Sequence, residues 1–224
     1  MTKRTSEVAR SERVSAKSLA ESLFGMGALR LGDFVLPNGK RSPYDLDLRL
    51  VPSYPDLYTT VLAAYVELVD GVGSDKFDCI AGVVTAGVTI SSPLAVMLKK
   101  PMMYVRKPGE GRDTDKFVEG FSRRGARVLV IDDLVSTGAS VSAAAAALRR
   151  KGFVVTDSVV LVDRLEGGRA NLASEGIKLN SYCSIADLLL GLEKSGIIDR
   201  SRIKAILDSA DTLRKKSGRG ARRP

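Results

Sequence analysis

The chain has 224 residues, 44% of them hydrophobic and 27% charged, enough for one α/β domain with a sizeable core. It contains no histidine, which excludes a histidine general base, a Ser-His-Asp triad and any histidine-dependent metal site. The formal charge of +9 sits at the ends: residues 1–18 carry five basic and two acidic side chains, residues 213–224 six basic and none acidic, and residues 19–212 hold 24 of each sign.

A neutral body with basic ends does not read as a nucleic-acid-binding face, and the tails read as solubilising segments. No apolar run approaches 18 residues and the N-terminus is polar, so a soluble, cytoplasmic protein is expected, with no membrane partner. Cys79 and Cys183 stand alone, without metal or redox spacing, and Cys79 falls in a predicted buried strand.

In chain order, Ala16, Leu19, Ala20, Leu23 and Phe24 recur at helical spacing, with Ser18 and Glu21 as a candidate capping box. Phe34-Val35-Leu36, the turn Pro37-Asn38-Gly39-Lys40 and Ser42 to Leu50 suggest a hairpin. Its second strand turns Tyr44, Leu46 and Leu48 one way and Asp45, Asp47 and Arg49 the other. A helix from about Pro55 to Val69 precedes a glycine loop, Gly71 to Gly73. Phe77 to Val84 reads as the first central strand, ending in Thr85, and a helix then runs to about Lys99. Met102 to Val105 is the next strand. It runs into Arg106 to Gly120, whose glycines, proline and many charges predict a mobile loop rather than a packed element. Phe153 to Val162 is a further strand, ending in Asp163-Arg164-Leu165-Glu166-Gly167-Gly168, and Ser201 to Lys216 reads as a last amphipathic helix. Strands alternating with helices predict an α/β fold: a doubly wound, mainly parallel sheet flanked by helices, with a small N-terminal antiparallel hood. The boundaries follow: a basic polar arm at 1–17, a domain at 18–212 (hood 18–54, core 55–190, C-terminal helices 191–212) and a basic tail at 213–224.

One stretch concentrates the chemistry. Val128 to Ile131 is a short apolar run of the kind buried parallel strands carry, and Asp132 and Asp133 follow where it should end. Leu134, Val135, Ser136, Thr137, Gly138, Ala139 and Ser140 then lead into an alanine-rich helix, from about Val141 to Lys151. A strand, a tight turn and a helix N-terminus make an anion site, because unpaired amides and the positive end of the helix dipole meet there. The hydroxyls of Ser136, Thr137 and Ser140 add donors. Two carboxylates would repel a phosphate but accept from a diol, so the array fits a sugar phosphate. The chain carries neither G-x-x-x-x-G-K-[ST] nor G-x-G-x-x-G, which counts against nucleoside triphosphate and dinucleotide folds.

This stretch resembles the signature of the type I phosphoribosyltransferases. Gly27 to Phe34, Ser42-Pro43-Tyr44, Tyr104-Val105-Arg106-Lys107, Glu119-Gly120 and Leu161 to Arg164 with its Glu-Gly-Gly tail narrow the resemblance to orotate phosphoribosyltransferase, over residues 18 to 190. The resemblance implies transfer of phosphoribose from phosphoribosyl pyrophosphate to orotate, giving orotidine 5'-monophosphate and pyrophosphate on the route to UMP. It further implies Mg2+ bridging substrate oxygens with no direct protein ligand, and a homodimer whose Arg106–Gly120 loop reaches the neighbouring site. By the same resemblance Asp132, Asp133 and residues 134–140 hold the ribose phosphate, and Arg106 and Lys107 meet the pyrophosphate. Arg164, Ser136 and Tyr44 hold orotate. The chain departs from the family where the hairpin turn has Pro37 in place of a lysine, and where Tyr44-Asp45 replaces an aromatic pair. It departs again in the loop, where Glu110 and Arg112 stand at lysine and histidine positions; Arg112 and Lys116 are then the candidate catalytic cations. Another acceptor base, or a non-catalytic sensor of phosphoribosyl pyrophosphate, are the competing readings.

Overall fold

The computed structural model describes residues 14–35, 39, 41–106, 117–121 and 123–208. The turn residues Pro37, Asn38 and Lys40, the loop residues Lys107, Arg112 and Lys116, and residues 1–13 and 209–224 lie outside the described residues.

Helix α1, Ala16–Gly25, is capped by Ser15, whose Oγ accepts from the Ser18 amide at 3.1 Å. The cap is thus three residues earlier than the sequence spacing suggests. Ser15 has the extended backbone a cap requires, whereas Ser18 is already helical, and Glu21 pairs with Lys17 at 3.9 Å. Strands β1, Leu29–Val35, and β2, Arg41–Leu46, form the expected antiparallel hairpin, with Leu29 opposite Leu46 and Leu31 opposite Tyr44. β1 starts five residues before the predicted Phe34, and the pairing shifts between Leu31 and Phe34, around Gly32 and Asp33. The alternation holds: Tyr44, Leu46 and Leu48 are buried. Leu48, however, belongs to a 3-10 turn, Leu48–Ser53, that leads into helix α2, Pro55–Val72. α2 runs through the expected glycine loop and stops only at Gly73, whose φ of 101° no side chain adopts easily.

The main sheet follows. Strands β3 (Cys79–Val83), β4 (Met102–Val105), β6 (Arg127–Ile131), β8 (Val154–Asp163) and β9 (Lys178–Ser184) are parallel, in the order β4-β3-β6-β8-β9. The last residues of the expected mobile loop form an edge strand instead: β5, Val118–Gly120, pairs antiparallel with β4, Val118 opposite Val105. After Asp132 and Asp133, whose backbones still bond to β8, the line of β6 resumes as β7, Leu134–Val135, against Val162 and Asp163. Helices α3 (Ala86–Leu98), α4 (Ala139–Arg150), α5 (Gly168–Ser174) and α6 (Ile185–Lys194) complete the wound units, and a last helix covers residues 200–208.

Strand periodicity divides the core in two. Ile80, Leu129, Ile131 and Leu161 pack with the hairpin, α1, α2, α3 and α6 on one face. Cys79, Ala81, Val128, Val130 and Val160 pack with α4 and α5 on the other. Both cysteines are free and buried. Among the described residues no helix is long and apolar enough to cross a membrane.

Candidate active site

Parallel strands place all their C-terminal ends along one edge, and the polar strand ends of this chain meet there: Thr85 after β3, Arg106 after β4, Asp132 and Asp133 after β6, Arg164 after β8. The acids are fixed from below. Tyr65, fully buried on α2, donates its hydroxyl to the Asp132 carbonyl at 2.6 Å and accepts from the Leu161 amide at 2.9 Å. That amide also reaches the Asp133 carbonyl at 2.9 Å, so α2, β6 and β8 are tied at one point. From the side, Gly87 at the start of α3 lets the helix touch the strand end, since a Cβ there would lie 2.4 Å from the Ile131 carbonyl oxygen. Replacing Tyr65 with Phe removes a buried hydroxyl with two strong bonds and should cost about 1–2 kcal/mol of stability. Urea unfolding would measure it, and an unchanged midpoint would show that the hydroxyl holds nothing.

Asp132 is 7% exposed, and its Oδ1 accepts from the Asp133 amide at 3.0 Å. Asp133 Oδ1 accepts from the Leu134 amide at 2.8 Å. Burial nonetheless raises the Asp133 carboxyl above its ordinary value. From the hood, Asp47 and Arg49, paired at 2.7 and 2.8 Å, lie within electrostatic range of Asp133.

Beyond the acids, a cleft of about 100 Å³ is bounded by Asp132 and residues 134–141. The amides of Ser136, Thr137 and Gly138 have no hydrogen-bond partner among the described residues, and α4 starts directly after them. This turn has the arrangement expected from the sequence order, and it suits an anion. Its shape depends on a segment whose role the sequence did not reveal. Gly138 has a φ of 87°, and Gly168 packs against it so closely that a Cβ on Gly168 would lie 2.6 Å from the Ser136 carbonyl oxygen. The Gly168 amide donates to that oxygen at 2.9 Å, and Asn171 Nδ2 donates to the Thr137 carbonyl at 2.9 Å. Val135 is buried and gives its carbonyl to the Arg164 amide at 2.8 Å, so it acts here as sheet.

Arg164 and Tyr44, far apart in sequence, are brought together: Arg164 Nε donates to the Tyr44 hydroxyl at 2.8 Å and its guanidinium stacks 4.8 Å from the ring centre. Burial pushes the Tyr44 phenol up to about 12. Glu166, 6% exposed, completes a buried group, with Oε1 at 3.0 Å from Arg164 Nη2 and 3.5 Å from the Tyr44 hydroxyl. The Nη2 contact is an ion pair without hydrogen-bond geometry, which leaves that buried nitrogen without a formed hydrogen bond. Arg106 is placed differently. Its guanidinium lies 3.5 Å from Glu119 on β5 and 6.0 Å from the Tyr104 ring centre, toward the sheet edge.

Size alone would choose another place. A groove of about 470 Å³ lies between α1 and the first turn of α2, lined by Ser18, Ser22, Tyr54, Asp56 and Thr60 among others. Among the described residues its lining has no cation and no paired acids, so chemistry selects the smaller cleft. Of the residues singled out from the sequence, the structure brings Asp132, Asp133 and the turn to one strand edge and sets Arg164 against Tyr44. The sequence pattern missed Tyr65, whose helical spacing reads as core, and Asn171 and Gly168, whose partners lie more than 30 positions away.

Residues 57–180 match the family described as phosphoribosyl transferase domain. Over 79% of its length the chain is 41% identical to the orotate phosphoribosyltransferase of Cenarchaeum symbiosum, covering 88% of that protein. The crystal structure of orotate phosphoribosyltransferase from Aeropyrum pernix superposes with a TM-score of 0.71 at 36% identity, over 81% of this chain and 99% of that one. The structure of Leishmania donovani UMP synthase superposes with a TM-score of 0.78 at 32% identity, over 89% of this chain but 43% of that longer one.

Proposed function

The chain belongs to the orotate phosphoribosyltransferases, and on that premise we propose how its residues divide the reaction. The single observation that carries the division is the continuity of Asp132 to Ser140: two acids that suit ribose hydroxyls run directly into a turn whose free amides suit its 5-phosphate. Asp132 and Asp133 hold the ribose while the bond from its C1 to a pyrophosphate oxygen breaks, a ring nitrogen of orotate bonds to that carbon, and the proton of that nitrogen leaves with the pyrophosphate. Positive character grows on that carbon, and the two carboxylates beside it stabilise it. No general base is required of the protein; positioning and charge do the work.

Arg164, with Tyr44 and Ser136, receives orotate. The supporting observation is Arg164 Nη2, buried yet without a formed hydrogen bond, a donor suited to a carboxylate. Arg106 and Lys107 meet the pyrophosphate, and Arg112 or Lys116 is the catalytic cation. The Arg106–Glu119 ion pair is exposed enough to open for an anion.

Among the described residues no three potential ligands cluster as a metal cage. Two adjacent carboxylates at a phosphate cradle suit a hydrated Mg2+, which Asp132 and Asp133 would help to hold beside the substrate. When bound it would supply charge neutralisation for the departing pyrophosphate. A homodimer, a cytoplasmic setting and the hood, core and C-terminal boundaries read from the sequence complete the proposal.

Replacing Arg164 with Ala should raise the Michaelis constant for orotate about tenfold or more and leave that for phosphoribosyl pyrophosphate nearly unchanged. Steady-state absorbance assays of orotate consumption, run beside uracil, hypoxanthine and adenine, would measure both. Equal effects on the two substrates would make Arg164 structural, and consumption of another base in preference to orotate would overturn the acceptor assignment.

A further inference from the structure

The body of the protein is neutral in sum, but the fold does not distribute its charge evenly. Parallel strands start at one edge of the sheet as surely as they end at the other. The segments that precede them, 74–78, 99–101, 123–127, 149–153 and 175–178, all lie at the edge opposite the active site. Those five segments carry ten cationic side chains and three acidic ones, a net of +7. The rest of residues 19–212 therefore carries −7. Strand order also fixes their sequence in space: Lys99 and Lys100 before β4, Lys76 before β3, Arg123, Arg124 and Arg127 beside β6, Arg149, Arg150 and Lys151 before β8, Lys178 at β9. With strands about 4.8 Å apart, five in a row make a stripe roughly 19 Å long.

Part of this charge is already used. Asp78 accepts from the Arg127 guanidinium at 3.1 Å and lies 3.4 Å from Arg123. Lys100 Nζ donates to the Ser74 and Phe77 carbonyls at 2.9 and 3.1 Å, and Arg149 donates to the Val155 carbonyl at 2.7 Å. Six cations remain: Lys76, Lys99, Arg124, Arg150, Lys151 and Lys178 have no ion-pair or hydrogen-bond partner for their side-chain charge among the described residues. All six are exposed. Complementing helix dipoles accounts for some of them, since α3 and α4 end beside Lys99 and Arg150. It does not account for Arg124, which lies in the turn before β6 and faces Gly152 across to the next loop.

We infer that this edge is a binding surface for a nucleic-acid strand, held through its phosphates and independent of base sequence. A linear stripe of unpaired cations matches a linear polyanion with regularly spaced charge better than it matches the scattered carboxylates of a folded protein. The placement leaves the active-site edge open, so a bound strand and the substrates do not compete for the same surface.

The test uses the full chain and a fluorescein-labelled single-stranded RNA of about 20 nucleotides, read by anisotropy across a salt series. The variant Arg124→Ser, Arg150→Ser, Lys151→Ser should weaken binding about tenfold or more. It should also flatten the plot of log affinity against log salt by about 2, because each phosphate contact in a single strand contributes about 0.7. Its orotate turnover should match the parent, which establishes that the fold is retained. A matched variant, Arg219→Ser, Arg222→Ser, Arg223→Ser, removes as many cations from the C-terminal tail and should weaken binding less. Absence of binding by the parent at low salt, or loss confined to the tail variant, overturns the inference. So does displacement of the RNA by polyglutamate as readily, charge for charge, as by polyuridylate.

Discussion

Replacing Asp133 with Asn should cut turnover by about a hundredfold or more, roughly 3 kcal/mol of transition-state stabilisation, without unfolding the protein. The asparagine keeps an oxygen for the Leu134 amide, which Asp133 Oδ1 accepts at 2.8 Å, and so keeps the local backbone. What it loses is the charge that faces the developing cation. The same change should leave stability at neutral pH equal or higher. Burial raises the Asp133 carboxyl in the folded state. The folded protein therefore binds more protons than the unfolded chain as this group titrates, and stability falls as pH rises through that interval. An ionised Asp133 is then a standing cost, and the neutral amide removes it. Thermal melts at neutral pH beside single-turnover kinetics would measure both effects. Near-normal turnover would show that the pair does not hold the reacting ribose.

The second large effect is expected at a residue with no functional group. Gly168→Ala would put a methyl group 2.3 Å from Val135 Cγ1, 2.6 Å from the Ser136 carbonyl oxygen and 3.0 Å from the Gly138 nitrogen. Two of those atoms are backbone of the phosphate turn, so relief requires the turn to move. Overpacking of this kind costs about 1–3 kcal/mol of stability. The larger consequence falls on binding: the Michaelis constant for phosphoribosyl pyrophosphate should rise about tenfold or more, and that for orotate much less. The ratio of the two constants is the decisive measurement, because a general loss of stability would move them together. An unchanged ratio with a lowered melting temperature would reduce Gly168 to a packing role.

The sequence was most legible where chemistry and geometry are local. Asp132 to Ser140 could be read because strand, acids, turn and helix follow one another within fourteen residues. The hairpin's inward face, Tyr44, Leu46 and Leu48, followed from alternation alone. Where the reading failed, tertiary pairing had overridden a local signal. Val118 to Gly120 carries loop-like charge and glycine, yet β4 offers an unpaired edge and the segment takes it. Leu134 and Val135 looked like spacers, but β8 is long enough to pair with them after β6 has ended. Arg164 and Glu166 stand in a polar strand end that reads as surface, yet they form a buried ion pair beside Tyr44. Neutrality was the most misleading summary, because adding charges along a chain discards which end of the sheet they occupy.

Tyr65 carries a further consequence. Its hydroxyl joins α2 to the carbonyls of Asp132 and to the amide of Leu161, at the centre of the larger hydrophobic cluster. Opening of the acid pair would therefore expose part of the core itself, so the floor beneath the acids should show the slow amide exchange of the buried core. Adjustment to successive ligands then falls to exposed side chains such as Arg49 of the hood, paired with Asp47 and within electrostatic range of Asp133.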